Sequence, residues 1–405
     1  MYNLTADQAS LCASVRRLAF VALLLPLAAP VRALDISARG NAMGGVMDLD
    51  ARGAEAVSSC PAGLANSSGS LAGGWALDGT NNRLIMRQLM SFVTDKPGET
   101  ASVDHIGDWN AEVRSVAGFA VSWAGFGFSF QHRRDWEARG ASQTLAMASV
   151  NRYCYLWANT TSVSGGTITD LGYDEIAVAY GRALPVLLPD VTVAAGLSAK
   201  LLSGTRYRRF SDNRTITTGA TNVEYAPQER DFSNHGLGAA VDFGLECEVG
   251  RWARAAVTVR DLGGVIYWRN SLYSNALYAT GAAEMTVIRV KRDVTQHLER
   301  SILASAEGTL PALGTLLAAG YEVQSAPGTG LLRAGAEQKL GVLALRLGYA
   351  FRRSADMGGY FTGGIGLGSR RFHVDASYYY FYPRIEHRKF DDRAGMIAGS
   401  AGLTF

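Results

Sequence analysis

The stretch Ile397–Phe405 (IAGSAGLTF) decides the fold class, because large apolar and small side chains alternate along it. Successive side chains of a strand point to opposite faces, so Ile397, Leu403 and Phe405 share one face with Ala401. The other face carries small or polar residues: Ala398, Ser400, Gly402 and Thr404. Such a strand can separate an apolar medium on one side from a polar medium on the other. Repeated many times in an exported chain, the pattern predicts a membrane barrel with lipid outside and a polar lumen inside.

The same alternation recurs along the chain after residue 72. The clearest runs are 119–130, 176–180, 191–201, 239–249, 253–260, 343–351, 361–368 and 372–382. The longer runs reach about 8 to 12 residues, which a tilted strand needs to cross a bilayer. Residues 119–130 predict a hairpin with a tight turn at Ala124-Gly125. The predicted fold class is all-β, a transmembrane antiparallel β-barrel.

A soluble, exported β-sandwich is the alternative, because its strands also alternate. Two features favour the barrel. The inward face is dominated by glycine, alanine and charged residues, which is too little bulk for a packed core. The apolar face carries Tyr378, Tyr380 and Tyr382, as an aromatic girdle at a membrane interface would.

The N-terminus has the pattern of a targeting segment. Arg16 and Arg17 precede the apolar stretch Leu18–Val31, and Ala33 ends a cleavage site. Residues 1–33 are therefore predicted to be a cleaved signal peptide, with an uncleaved anchor as the alternative. No later window has 18 consecutive apolar residues, which argues against an α-helical membrane protein. The predicted division continues with an irregular segment over 34–72 and the barrel over 73–405.

Composition argues against several functions. The net charge of the 405 residues is +3 without a long basic run, so nucleic acid is not an expected partner. Four cysteines, one of them within the signal peptide, do not form a disulfide framework. The six histidines show neither metal-ligand spacing nor a nearby serine elbow. We expect no catalytic residues, metal or cofactor.

The segment Ala38–Ala65 (ARGNAMGGVMDLDARGAEAVSSCPAGLA) resembles a signature of the FadL-type long-chain fatty-acid transporters and their PorV-like relatives. The matching residues are Met43, Gly44 and Gly45, and then Pro61, Ala62, Gly63 and Leu64. Cys60 departs from the signature, because the family has asparagine before the proline. Two later segments, Ala253–Gly264 and Leu332–Leu340, also resemble the family, with Asp261 in place of asparagine.

The resemblance implies a barrel of about 14 strands whose N-terminal segment folds inside it as a plug, or hatch. It further implies facilitated uptake of long-chain fatty acids or similar hydrophobic molecules across the outer membrane of a diderm bacterium, with release through a lateral gap in the wall. Expected partners are these molecules, outer-membrane lipids and, through the terminal Phe405, the barrel-assembly machinery. The alternative is a non-transporting barrel, either a partner of exported proteins or a surface adhesin.

The inward face also carries charges of both signs. They are Asp242, Glu246, Glu248, Arg254, Arg260, Glu322, Arg333, Glu337, Arg346 and Asp375. One interpretation is a salt-bridged lumen that supports the plug. The other is that Arg333 and Arg346 bind a carboxylate headgroup by bidentate hydrogen bonds.

Two stretches are predicted to lie outside the regular wall, and a third is left open. Residues 203–235 and 352–360 are predicted to be long polar linkers, and 80–112 fits either a strand pair or a short helix. Within the first linker, Arg206–Phe210 mixes basic and aromatic residues. It is interpreted as a solvated loop, or as a site for an anionic amphiphile at the cell surface.

Overall fold

The structure of the protein is a computed structural model. It describes residues 36–46, 52–65, 67–82, 100–104, 108–142, 144–150, 153–157, 163–186, 188, 190–212, 228–250, 252–278, 285–311, 313–324, 330–352, 360–369, 371–381 and 392–405. The predicted signal peptide, most of 80–112 and Tyr382 lie outside the described residues.

The described chain is almost entirely β-structure. Its strands are β1 (Ser70–Asn82), β2 (Thr100–Asp104), β3 (Asp108–Trp123), β4 (Phe126–Ser142), β5 (Thr144–Val150), β6 (Tyr153–Trp157), β7 (Val163–Leu184), β8 (Val191–Asp212), β9 (Gln228–Ser233), β10 (Gly236–Val249), β11 (Ala253–Tyr278), β12 (Met285–His297), β13 (Ser301–Leu310), β14 (Thr315–Gln324), β15 (Gly330–Leu340), β16 (Leu343–Arg352), β17 (Tyr360–Gly368), β18 (Phe372–Phe381) and β19 (Asp392–Thr404).

Fourteen of these strands form one closed antiparallel barrel. The circuit runs β1, β3, β4, β7, β8, β10, β11 and then β13 to β19 in order, and β19 pairs with β1 to close it. Strands β9 and β12 lengthen the ladders of β8 and β11, and β2, β5 and β6 form a separate small sheet. The predicted fold class, a barrel of about 14 strands, is confirmed.

The two ends of the barrel differ. At one end, here called the turn end, short connections join neighbouring strands, and Ser70 pairs with Thr404. The predicted turn at Ala124-Gly125 is confirmed there, with φ of 50° and 82°, as a two-residue hairpin turn requires. The opposite end, here called the loop end, has the longer connections and carries β9 and β12.

The outer face of the wall is a continuous apolar belt. Phe405, Leu347 and Phe361 are 70%, 71% and 68% exposed, whereas Ala398 and Ser400 are buried on the inner face. The facing predicted for β19 is therefore correct, and the same alternation holds on β16 and β17. An exposed apolar belt of this extent needs an apolar medium around it.

The segment Ile36–Gly69, here called the inner segment, packs inside the barrel near its turn end. It contains a short α-helix, α1 (Ala38–Ala42), and two 3₁₀ turns, Gly53–Val57 and Pro61–Leu64. No helix in the described part of the chain is long and apolar enough to cross a membrane. The first wall strand begins at Ser70, within the stretch assigned above to the segment 34–72.

The prediction that residues 203–235 are one polar linker is wrong in part. Strand β8 continues to Asp212, and β9 begins at Gln228. Arg206–Phe210 is therefore part of strand β8. Its backbone pairs with β7 on one side, and from Tyr207 onward it also pairs with β9 on the other. The polar composition of this stretch reflects its position beyond the apolar belt.

Candidate functional site

The lumen is the candidate site, and its turn-end half is filled by the inner segment. Wall glycines on the inward face allow the two backbones to touch. A β-carbon added at Gly196 would collide with the main chain of Pro61, and one at Gly348 would collide with that of Gly44. The small residues that the sequence predicts on the inward face thus leave room for the inner segment.

Hydroxyl groups of the wall form hydrogen bonds with both ends of α1. Ser400 Oγ accepts a hydrogen bond from the Ala38 amide (3.0 Å). Thr362 Oγ1 accepts one from the Gly44 amide (2.9 Å) and donates one to the Ala42 carbonyl (2.7 Å). These bonds satisfy buried backbone groups that the short helix leaves without internal partners.

Met43, Gly44 and Gly45 form the turn that follows α1. Gly44 and Gly45 have φ of 75° and 82°, the left-handed conformation that favours glycine. Arg333 Nη1, on β15, donates a hydrogen bond to the Gly45 carbonyl (2.7 Å), and the same guanidinium pairs with Glu322 on β14. Arg333 is 3% exposed, so this contact lies in the dry interior of the barrel.

Glu337 on β15 joins the inner segment to the wall. Its carboxylate accepts hydrogen bonds from Arg39 Nε and Nη2 (2.7 and 2.8 Å) and from Arg346 Nε (2.7 Å). Arg346 Nη1 in turn donates to Asp375 Oδ1 (2.6 Å). Two cations thus share two carboxylates, which satisfies charges that would be costly to bury singly.

The second motif, Cys60–Leu64, packs against the opposite side of the wall. Its proline opens a 3₁₀ turn, and Cys60 and Ala62 lie buried with Ala194 and Ala256. Arg260 fixes the residue before this motif by donating two hydrogen bonds to the Ser59 carbonyl oxygen (3.2 and 3.1 Å). A small thiol fits this alanine-lined slot, which accounts for a residue smaller than asparagine at position 60.

A second charged cluster lies where β11 leaves its regular pairing. Lys200 Nζ lies 2.8 Å from Asp242 Oδ2 and 2.8 Å from Asp261 Oδ1, and 3.7 Å from Glu175 Oε1. Asp261 and Gly263 have φ of 54° and 66°, and the β10–β11 register shifts there. The substitution of aspartate for the family's asparagine thus supplies Lys200 with a charged partner.

This cluster was only partly visible in the sequence. Alternation placed Lys200 on the inward face of β8, but the predicted set of inward charges omitted it and Asp261. The four groups lie on four strands, and only the register of β7, β8, β10 and β11 brings them together.

Beside the Lys200 cluster, toward the loop end, the lumen wall is apolar and aromatic. Tyr207 and Trp268 stack with ring centroids 5.4 Å apart, and Leu202 and Ile266 complete a buried cluster with them. Trp268 lies across the inward faces of Gly204 and Gly236. All four side chains are buried, so an apolar molecule contacts this cluster only after neighbouring side chains move.

At the turn end, a cleft of about 290 Å³ opens beside the inner segment. Its lining includes Arg39, Arg254, Glu307, Lys339 and Trp252. Five of its eleven lining residues are charged, in contrast to the aromatic cluster nearer the loop end.

The two predicted ligand contacts, Arg333 and Arg346, both point into the lumen but not toward an open cavity. Each is buried against protein carboxylates, and Arg333 also contacts the inner segment. Their contact with a cargo headgroup stays a prediction. All motif residues from Met43 to Gly45 and from Cys60 to Leu64 lie in the inner segment.

The resemblance implies a lateral gap in the wall. Within the described residues, every neighbouring pair of the fourteen wall strands is hydrogen-bonded. The β10–β11 ladder is irregular at Arg260–Gly264, where its register shifts on both sides of the Val241–Leu262 pair.

Neither a protein-family model nor a curated protein matches this sequence. Solved structures do match it. The Ralstonia pickettii toluene transporter TbuX is 12% identical over 92% of this chain and 98% of its own, with a TM-score of 0.55. The P. putida toluene transporter TodX is 10% identical over 92% and 99%, with a TM-score of 0.54. A Pseudomonas aeruginosa FadL homologue is 10% identical over 94% and 100%, with a TM-score of 0.50.

Proposed function

We propose that this protein, which has the fold of the FadL-type barrels, is an outer-membrane transporter for hydrophobic small molecules such as long-chain fatty acids. The observation that carries the proposal is the inner segment, Ile36–Gly69, fastened inside a closed barrel with an apolar outer belt. A water-filled porin needs an open lumen, whereas here the inner segment packs inside the turn end. An apolar cargo needs a dry path with a controlled opening.

The proposed path begins at the aromatic cluster. Tyr207 and Trp268 point inward but are buried, so a cargo reaches them by displacing the side chains that cover them. The inner segment blocks the way to the turn end. In this account a cargo displaces part of the inner segment and then leaves through the wall. We propose lateral release at Arg260–Gly264, where the β10–β11 register shifts on both sides of the Val241–Leu262 pair and the Lys200–Asp261 contact holds the irregular backbone.

In this account Arg333, Glu337 and Arg346 hold the inner segment in its closed position, and a cargo carboxylate that reached them would compete for the same guanidinium groups. Part of the support comes from the fold, since proteins described as toluene transporters share it.

The test is uptake of a labelled long-chain fatty acid into liposomes that contain the purified barrel. We expect uptake above that of empty liposomes, and we expect Trp268→Ala to reduce it several-fold. Trp75→Ala is the matched control, because Trp75 lies on the outer face and is half exposed. Wild-type uptake no faster than that of empty liposomes would overturn the proposal for this cargo class, and equal effects of the two tryptophan variants would overturn the path.

A further inference from the structure

A second surface, which the transport path does not use, lies on the outside of the barrel near the loop end. There β8 and β11 extend past the apolar belt and pair with β9 and β12. Cross-strand register places their residues in rows. One row runs Trp136, Asp170, Arg208, Phe232, Leu272 and Lys291.

The side chains of these rows face outward. On β7, Asp170 and the exposed Ile176 are an even number of residues apart. The β4–β7 pairing has no register shift between them, so both side chains point to the same face. On β11, Leu272 is 43% exposed and pairs with the exposed Lys291. The residues therefore belong to the same face as the apolar belt.

The rows begin at the height of the lipid headgroups and continue beyond it, since each row lies about 5 Å further along the membrane normal than the one before. On β10 and β11 the last apolar pair below them is Leu237 and Tyr267, which are both exposed. On β4 and β7 the same row carries His132 and Asp174. The next row, with Arg134 and Arg206, is two residues further, about 7 Å along a strand and about 5 Å along the membrane normal after tilt. The headgroup layer of a leaflet is about 5–7 Å thick.

The rows are strongly cationic. Among the described side chains of the three rows above the belt, two are carboxylates: Asp170, and Asp293, which accepts a hydrogen bond from the Asn270 amide in the bulge of β11. The cations of these rows are Arg134, Arg206, Arg208, Arg230, Arg289 and Lys291. Asp170 binds two of them at once, since Arg134 and Arg206 reach it at 3.1 and 3.3 Å. A net positive charge is left.

Apolar groups lie between the cations. The Arg208 guanidinium lies 5.2 Å from the centre of the Phe232 ring, and Leu272 separates this pair from Lys291. From β4 to β12 the patch spans five strand spacings, about 24 Å. This width exceeds one single-phosphate headgroup and suits a larger headgroup that carries more than one phosphate.

We infer that this outward face, here called the basic patch, binds a phosphorylated glycolipid of the surrounding leaflet. Arginine and lysine donate to phosphate oxygens, and the interleaved aromatic and aliphatic side chains contact the sugar and the upper acyl chains. The inference rests on the proposed outer-membrane location, and it gives Arg206–Phe210 a role at the lipid interface.

The experiment measures binding of lipid A to the full-length protein in detergent by native mass spectrometry, with phosphatidylglycerol as competitor. The variant is Arg289→Glu/Lys291→Glu, whose side chains are exposed, so folding is preserved. We expect lipid A to bind in preference to phosphatidylglycerol, and the variant to bind it at least about tenfold more weakly, since each cation near an anionic surface contributes about 1 kcal/mol. Arg371→Glu, an exposed arginine at the turn end, is the matched control and should bind as wild type does.

Two outcomes overturn the inference: unchanged lipid A binding by the double variant, or equal retention of phosphatidylglycerol by the wild type. Fatty-acid uptake measured on the same variant separates this result from the transport proposal. Because the patch lies outside the wall, uptake should equal that of the wild type. If the wild type binds lipid A but shows no fatty-acid uptake, the transport proposal is contradicted and the lipid A inference is not.

Discussion

The guanidinium of Arg333, on strand β15, donates a hydrogen bond to the carbonyl oxygen of Gly45, and the two atoms are 2.7 Å apart. This bond links the wall to the tightest turn of the inner segment. Arg333 is kept in place by Glu322 on the neighbouring strand, and both side chains are buried. The closed position of the inner segment therefore depends on a buried ion pair of the wall.

Replacing Arg333 by methionine should destabilise the barrel markedly, because Glu322 is left buried without its cation. The expected loss is about 3–5 kcal/mol. The double variant Arg333→Met/Glu322→Met should regain most of it, since no uncompensated charge remains. Denaturant unfolding in detergent measures both. If the double variant is no more stable than the single one, the pair does not carry the stability assigned to it.

A methyl group at Gly348 should push the inner segment away from the wall. The added β-carbon meets the Gly44 main chain, which cannot move without breaking the contacts of α1. We expect Gly348→Ala to raise ion conductance in planar bilayers. Gly363→Ala is the matched control, because its nearest neighbours lie 3.9 and 4.0 Å from the added carbon. Equal conductance of the two variants would show that the close approach does not seal the lumen.

An arginine on the outer belt should be tolerated at the end of a strand but not in the middle. Leu347, in mid-β16, is 71% exposed, and Val342, in the turn before β16, is 68% exposed. Leu347→Arg should cost about 2–4 kcal/mol in a bilayer and Val342→Arg about 0–1 kcal/mol. Unfolding in liposomes tests the difference. A similar cost at both positions would contradict a membrane around mid-strand.

Asparagine at position 60 should be less stable than cysteine, despite the family signature. Cys60 is buried among Ala194, Ala256 and Gly244, and a larger amide there would lose hydrogen bonds to water. The expected cost of Cys60→Asn is about 1–3 kcal/mol. Cys60→Ala removes only the sulfur and should cost less. The melting temperature in detergent ranks them, and a Cys60→Asn variant as stable as wild type would refute the explanation.

Much of the wall could be predicted from local pattern. The alternation at Ile397–Phe405 gave the correct facing of β19, and Ala124-Gly125 gave the correct turn, because both depend on neighbours in the chain. Burial of Arg333 and Arg346 on the inward face followed from the same alternation. These features need no knowledge of which strands are adjacent.

The contacts inside the lumen depend on partners far apart in sequence. Arg39 and Glu337 meet only because α1 lies beside β15, and Lys200 meets Asp261 only through the register of β8, β10 and β11. The polar stretch after residue 203 was misassigned for a related reason. Outside the belt, a strand needs no apolar face, so β8 loses its alternation while its pairing continues.

The central claim is that the inner segment closes the path of a hydrophobic cargo. A β-carbon at Gly320, on β14, would lie 3.4 Å from Val46 Cγ1, the position that a cysteine sulfur takes. The distance from a β-carbon to the far sulfur of a disulfide is about 3 Å. The variant Val46→Cys/Gly320→Cys, with Cys154 and Cys247 replaced by alanine, should therefore form a tether upon oxidation.

The decisive measurement is fatty-acid uptake by liposomes containing this variant, oxidised and then reduced, with the single variant Gly320→Cys treated identically. We predict that uptake falls at least several-fold in the oxidised double variant and returns upon reduction, while the single variant is unaffected. Formation of the tether without any loss of uptake would contradict the claim.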